Sequence, residues 1–348
     1  MRVVTGLFVA GWMSVACASF LNAQISQPLI PLELQGDPHA TQVPAYASLG
    51  SPQCDDSGDI FVRYGEANDA SVPATLAAID ADGSTHTISL SSSAMKPADN
   101  HVFIFAAGED GSLHEIVRVP GTSDQSTPTT QVQYATFDSD GSLRSHSDFN
   151  DEFIPSLLLP LPSGNFFATG VNLKDSGGEV LESPLAGIFT ADATLLSNLK
   201  TDPALKATNS KASDDQPTDA DFSTGIARLG ADGNIYVLLP GDKAKIAVVT
   251  QAGRIVREFK LQEPFETDVA HDMWISDNRI LVVYEGETED PKDAYVYVLY
   301  DTQSGNVVRV YHPQFSGTIA CFRDGQTLSV LLQQPSSGNV TLGSAELQ

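Results

Sequence analysis

Two neighbouring stretches decide how the chain is read: Ala231-Asp232-Gly233-Asn234-Ile235-Tyr236-Val237, and then Ala247-Val248-Val249-Thr250-Gln251-Ala252-Gly253-Arg254-Ile255-Val256-Arg257-Glu258-Phe259. In each, a short turn ending in Gly meets a run rich in β-branched and aromatic residues. Asp and Gln bind the backbone of such turns and Gly supplies the positive φ, so each stretch reads as a β-hairpin.

The same punctuation recurs in both directions along the sequence. One series of turns falls at Asp56-Ser57-Gly58, Glu109-Asp110-Gly111, Pro162-Ser163-Gly164, Ala231-Asp232-Gly233, Ser276-Asp277-Asn278 and Arg323-Asp324-Gly325, with last residues 53, 53, 69, 45 and 47 apart. A second series interleaves with it at Ala81-Asp82-Gly83, Ser139-Asp140-Gly141, Ala191-Asp192-Ala193, Gln251-Ala252-Gly253 and Gln303-Ser304-Gly305. Each unit therefore holds two hairpins, or four strands, and helical periodicity is scarce. A four-stranded unit repeated every ~40–50 residues is the pattern of a β-propeller, whose blades bury both faces against their neighbours. Leu49 to Gln348 gives 300 residues, or 50 for each of six blades. The predicted fold is all-β, a six-bladed propeller of four-stranded antiparallel blades. The longest interval is explained by a polar insertion from Thr201 to Asp221, expected as an exposed loop. A two-domain sandwich is the rival, but it does not require the two turn series to alternate.

Blade four, from Thr224 to Leu261, resembles the repeat of NHL-type and related six-bladed propellers, in which a DG-x-I-Y-V hairpin is followed by Gly, a basic residue and a closing strand. Asp59-Ile60-Phe61-Val62 and Asn278-Arg279-Ile280-Leu281-Val282-Val283 carry the same rhythm, and Gly164-Asn165-Phe166-Phe167 carries it more faintly. The resemblance implies a fold and leaves function open.

The chain has 348 residues, 19 Lys+Arg against 44 Asp+Glu, and a formal net charge of −25. With 41% hydrophobic and 18% charged residues it has enough apolar content for a large core. The negative balance repels phosphate backbones, and no basic cluster offsets it, which excludes nucleic acid as an expected partner.

Residues 1–23 read as a secretory leader: Arg2, an uncharged apolar run from Val3 to Ala18, and small residues before a preferred cleavage after Ala23. Ser14-Val15-Ala16-Cys17 resembles the lipobox of bacterial lipoproteins, so a lipid anchor at Cys17 is the alternative to a discarded leader. No later stretch approaches the ~20 apolar residues of a membrane span. The expected protein is secreted, periplasmic or held at the cell envelope, and monomeric. Residues 24–48 are expected to supply a closing strand to the propeller at 49–348. After Thr327 to Gln333 only Asn339 to Leu347 remains for the last blade, so Leu29-Ile30-Pro31-Leu32-Glu33-Leu34 is predicted to complete it, with Pro31 tolerated on an edge.

Cys54 and Cys321 each lie four residues before the Gly of their turn. An oxidising compartment permits pairing. Equivalent sites on adjacent innermost strands are expected to exceed the ~7 Å bridging limit, which predicts free buried thiols.

Several short motifs are weighed and set aside. Lys174-Asp175-Ser176-Gly177-Gly178 echoes the nucleophile segment of trypsin-like proteases but lacks the leading Gly, and reads as a polar loop. His114-Glu115 would begin a zinc helix only with a second His at the position of Arg118. Asp80-Ala81-Asp82-Gly83 and Asp138-Ser139-Asp140-Gly141 lack the spacing of an EF-hand loop and read as turns.

One pattern persists. Asp99, Glu152, Asp221 and Glu266 recur just ahead of successive innermost strands, with Asn100, His101, Asn150, Asp151, Asp268, His271 and Asp272 beside them. Such positions converge on one end of the channel. The candidate ligand-binding rim is accordingly Asp99, Asn150, Asp151, Glu152, Asp221, Asp268, His271 and Asp272. The preferred reading is a non-catalytic binding module that takes a protein, glycan or small ligand there. The alternative is a hydrolase resembling the calcium-dependent lactonases of six-bladed propellers. By position, Glu152, Asn150, Asp221 and Asp272 would hold Ca²⁺, with Asp268 or His271 as base. The bland reading of the same residues is a solvated rim on an acidic chain.

Overall fold

The computed structural model describes residues 28–40, 52–64, 74–90, 102–120, 130–149, 152–176, 179–201, 219–239, 244–262, 269–286, 294–333 and 340–348. Six sheets are arranged around a common axis. With strands numbered along the chain, blade one is β3 (Gln53–Cys54), β4 (Ile60–Tyr64), β5 (Ala74–Ile79) and β6 (Thr85–Leu90). Blade two is β7 (Val102–Ala107), β8 (Leu113–Pro120), β9 (Thr130–Phe137) and β10 (Leu143–Asp148). Blade three is β11 (Glu152–Pro160), β12 (Phe166–Ser176), β13 (Glu179–Phe189) and β14 (Leu195–Asn198). Blade four is β16 (Ile226–Leu229), β17 (Ile235–Leu239), β18 (Lys245–Val249) and β19 (Arg254–Lys260). Blade five is β20 (Val269–Ser276), β21 (Arg279–Glu285), β22 (Tyr295–Asp301) and β23 (Val307–Pro313). Blade six holds β24 (Thr318–Arg323), β25 (Thr327–Gln333) and β26 (Val340–Glu346). The innermost strands touch in ring order, β3 to β7, β11, β16, β20, β24 and back to β3, so the ring is closed.

The amino-acid pattern explains why the sheets stack. Within β17, Ile235, Val237 and Leu239 pack toward blade three, whereas Tyr236 and Leu238 pack toward blade five. A strand buried on both faces reads as a continuous apolar run rather than an alternation. The hydrophobic core is accordingly divided into six clusters, one for each seam between blades. The seam of blades two and three is the most aromatic, with Phe166 stacked on Tyr134 at 4.0 Å and on Phe189 at 5.3 Å.

The turns behave as their residue types require. Gly83 N donates to Asp80 O and Gly141 N to Asp138 O, while Asp82 and Asp140 accept from the backbone N of Ser84 and Ser142. Gly141 has φ +84°, and a Cβ there would lie 2.7 Å from Ser89 O of blade one, so both conformation and space demand Gly. Because strands alternate in direction, both turn series lie on one face of the ring. The other face carries the opposite ends of the strands, where each innermost strand begins.

Several expectations need correction. Blade six takes its fourth strand from β2 (Leu34–Ala40), antiparallel to β26, so that of the predicted residues 29–34 only Leu34 lies in it. Ile30–Leu32 forms β1, which runs parallel to β23 as a fifth strand of blade five. The chain crosses from one blade to the next at Glu33, and Leu32 is buried in the seam between them. Lys174, Asp175 and Ser176 do not form a loop: they end β12 and pair with Leu181, Val180 and Glu179. The insertion beginning at Thr201 is structured at both ends. β15 (Lys200–Thr201) runs parallel to β19, and helix α1 (Asp219–Ser223) buries Phe222 between blades three and four.

Cys54 and Cys321 are disulfide-bonded, with Cα atoms 5.6 Å apart, which overturns the expectation of free thiols. Innermost strands converge toward the axis, β3 is only two residues long, and β24 shifts register between Ile319 and Cys321. Those features bring two equivalent positions within bridging distance. The leader at 1–23 and the Cys17 segment lie outside the described residues.

Candidate functional site

The described members of the predicted rim lie toward the face opposite the tight turns, where each innermost strand begins. Asp99, Asn150, Asp151 and Asp268 lie outside the described residues, as do Asn100, His101 and Glu266. Glu152 begins β11, opposite Leu173 of β12. Asp221 is exposed on α1, whose end is tied to blade three: Ser156 Oγ donates to Ser223 O at 2.7 Å and lies 2.9 Å from Thr169 Oγ1. Phe222 anchors the same turn from below, which is why a helix of five residues persists there.

His271 and Asp272 are adjacent on β20 but face different surroundings. His271 is exposed, its Nδ1 3.4 Å from Glu285 Oε2. Asp272 is mostly buried and accepts from Arg228 of blade four at 3.1 Å and from Met273 N at 2.7 Å. A register shift between Ala270 and Asp272 turns the carboxylate toward that arginine. Arg228 also lies 5.8 Å from the centre of the Trp274 ring and donates to Ala227 O. The result is a charge pair bridging two innermost strands. Sequence reasoning missed Arg228, because a lone Arg in a short apolar strand carries no signal until its neighbour blade is placed. Among the described residues no group of three or more His, Cys, Asp or Glu is placed to hold a metal ion.

Apolar side chains accompany these charges. Val269 at the start of β20 is 58% exposed and Ile154 on β11 is 39% exposed, both near the start of innermost strands on this face.

Two further polar groups sit inside the ring. His114 accepts or donates through both ring nitrogens, Nε2 2.8 Å from Ser112 Oγ and Nδ1 2.7 Å from Tyr134 OH, and Ser112 Oγ in turn donates to Asp110. Burial holds His114 down at about 4, so the imidazole is neutral near pH 7. Burial raises the Tyr134 hydroxyl, which therefore remains a donor. With Tyr134 donating to Nδ1, Nε2 carries the proton and donates to Ser112. A serine whose own proton is held by Asp110 is a link in a clasp between turn and core, and the arrangement is not that of an activated nucleophile. The sequence motif His114-Glu115 thus divides in two: His114 faces blade three, while Glu115 faces blade one.

No protein-family model matches the sequence, and a search of curated proteins finds no match either. Solved structures do resemble it. A candidate exported protein of Bacteroides fragilis aligns over 92% of this chain and 99% of its own, with a TM-score of 0.51 at 10% identity. A protein of unknown function from Dyadobacter fermentans aligns over 91% and 99%, with a TM-score of 0.50 at 12% identity. At such identities the likeness speaks for fold alone, and with the six sheets closed in a ring it makes this chain a six-bladed β-propeller.

Proposed function

We propose that this propeller is an extracytoplasmic binding module that engages a partner protein or ligand through the rim of Asp99, Asn150, Asp151, Glu152, Asp221, Asp268, His271 and Asp272. The observation that carries this reading is the difference between the two faces. One is closed by short turns that satisfy their own hydrogen bonds; at the other the strand ends are separated by longer stretches of sequence, and Val269, Ile154, Asp221 and His271 are exposed beside them. Binding residues concentrate on long connections held by a rigid scaffold. The Cys54–Cys321 disulfide supports a compartment outside the cytoplasm, where such bonds persist.

The hydrolytic alternative uses Asp272 as a Ca²⁺ ligand together with Glu152, Asn150 and Asp221. Arg228 already occupies that carboxylate, and a divalent cation there would have to displace a guanidinium. A melting midpoint raised by millimolar Ca²⁺ and lowered again by chelator would favour the alternative.

The binding reading is tested by placing a photo-crosslinking residue at position 269, or at 82 on the tight-turn face, in the cells that produce the protein. A covalent adduct from 269 and none from 82 is expected. Adducts from both alike, or from neither, would overturn the reading.

A further inference from the structure

Five side-chain atoms are buried without a hydrogen-bond partner among the described residues, and three of them lie in one seam: Arg63 Nε of blade one, and Glu115 Oε1 and Gln133 Oε1 of blade two. Strand alternation brings the three together. Phe61 of β4, Leu113 of β8 and Ala135 of β9 pack between blades one and two, and Arg63, Glu115 and Gln133 each stand two residues away on the same strand, so they point into the same seam. The other neighbours of Glu115 are apolar, with Leu76 and Ala78 from β5, Ile88 from β6 and Phe105 from β7. His114 faces blade three, and Asp148 of β10 meets the seam through the Nε2 of Gln133. The charge set against the Glu115 carboxyl is Arg63.

A buried ion pair repays its desolvation only when the remaining lone pairs and N–H groups are satisfied too. Here they are not. Glu115 is 2% exposed, so ionising it leaves a charged oxygen without a donor, while Arg63 keeps an N–H without an acceptor. Water admitted between the blades would satisfy all three orphaned atoms. The tight-turn end of the same seam adds a second strain of the same sign. Asp56 N donates across it to Glu109 O at 3.3 Å, and the Glu109 carboxyl is raised by burial and then by the carboxylates Asp56 of blade one and Asp110 of blade two. Ionisation there sets like charges on both sides of the seam. At the axis blade one contributes only the two residues of β3. Its other side is tied covalently to blade six by Cys54 and Cys321, so blade one can part from blade two while remaining in the ring.

We propose that the seam between blades one and two is a pH-sensitive joint of the ring, which stays dry while Glu115 is neutral and opens locally to water when Glu115 ionises. The joint does not depend on what the rim binds. Burial raises the closed-state carboxyl to about 7, and exposure to water returns it toward its ordinary 4.5, so opening becomes easier as pH rises from 4.5 and levels off above 7. The test is native-state amide hydrogen exchange at pH 5, 6 and 7 on the wild type and Glu115→Gln, compared at each pH so that the intrinsic exchange rate cancels. Wild-type amides of β5 and β8 should lose protection relative to the variant by about tenfold or more across that range. At pH 7 they should also exchange faster than amides of β17 in blade four and depend less on urea, as a local opening does. A ratio between wild type and variant that does not change with pH would overturn the proposal. So would seam amides that match β17 in both rate and urea dependence, because the seam would then open only with the whole chain. The wild type alone supplies a second reading, independent of whether the variant folds: the carboxyl carbon resonance of Glu115 should titrate near 7, and a midpoint near 4.5 would overturn the proposal equally.

Discussion

Glu115 of blade two is buried against Arg63 of blade one, and among the described residues neither Glu115 Oε1 nor Arg63 Nε has a hydrogen-bond partner. Burial raises the Glu115 carboxyl to about 7, and the Arg63 charge draws it partly back. Burial likewise lowers Arg63 from its ordinary value, with Glu115 opposing. A carboxyl raised from its ordinary value near 4.5 to about 7 contributes stability fully below pH 4.5, and that contribution is lost as pH rises through 7. The urea midpoint of the wild type should therefore fall relative to that of Glu115→Gln between pH 5 and about pH 7, a comparison in which the oppositely signed contribution of His114 cancels. A difference between the two midpoints that does not change with pH would show that Glu115 is not the group responsible.

His114 has the opposite sign. Its folded value of about 4 lies below the ordinary 6.5, so its contribution is complete above pH 6.5 and is lost as pH falls toward 4. Its Cε1 proton resonance should hold the neutral position down to about pH 4.5. A titration midpoint near 6.5 would mean that the clasp of Ser112, His114 and Tyr134 is open in solution.

The disulfide joins residues 267 apart in sequence and links the first blade to the last. Cys54→Ser plus Cys321→Ser should cost about 2–5 kcal/mol in chemical denaturation, since a long closed loop constrains the unfolded chain strongly. Intact mass under non-reducing conditions should be lower by two hydrogens than after reduction.

Leu32 is 2% exposed in the seam of blades five and six, at the end of β1 just before the link to β2. Leu32→Ala should destabilise by about 2–4 kcal/mol through the cavity it leaves. Removing residues 29–40 should be worse, because β26 would become an unpaired edge. Urea unfolding of both variants provides the measurement; a deletion as stable as the wild type would show that ring closure does not depend on this segment.

The repeat was legible because its signals are local. Asp-Gly and Ser-Gly turns and strands such as Ile235–Leu239 are set by backbone conformation and by burial on both faces, and both leave a mark in consecutive residues. The rim was legible only as a position ahead of each innermost strand, and its described members show why. Asp272 and His271 are adjacent in sequence, yet one is bound to Arg228 and the other faces solvent beside Glu285, because a register shift separates their directions.

The sequence alone determined six four-stranded units, their boundaries at the turns, and an acidic chain without a basic cluster. Tertiary structure decided which distant residues meet: Cys54 with Cys321, Arg63 with Glu115, Arg228 with Asp272, and β2 with β26 rather than β1. The physical reason is common to all four. Each pairing crosses a seam or the closure of the ring, where partners are chosen by how whole sheets stack and how far their registers shift, and neither quantity is written in the residues on either side of a contact.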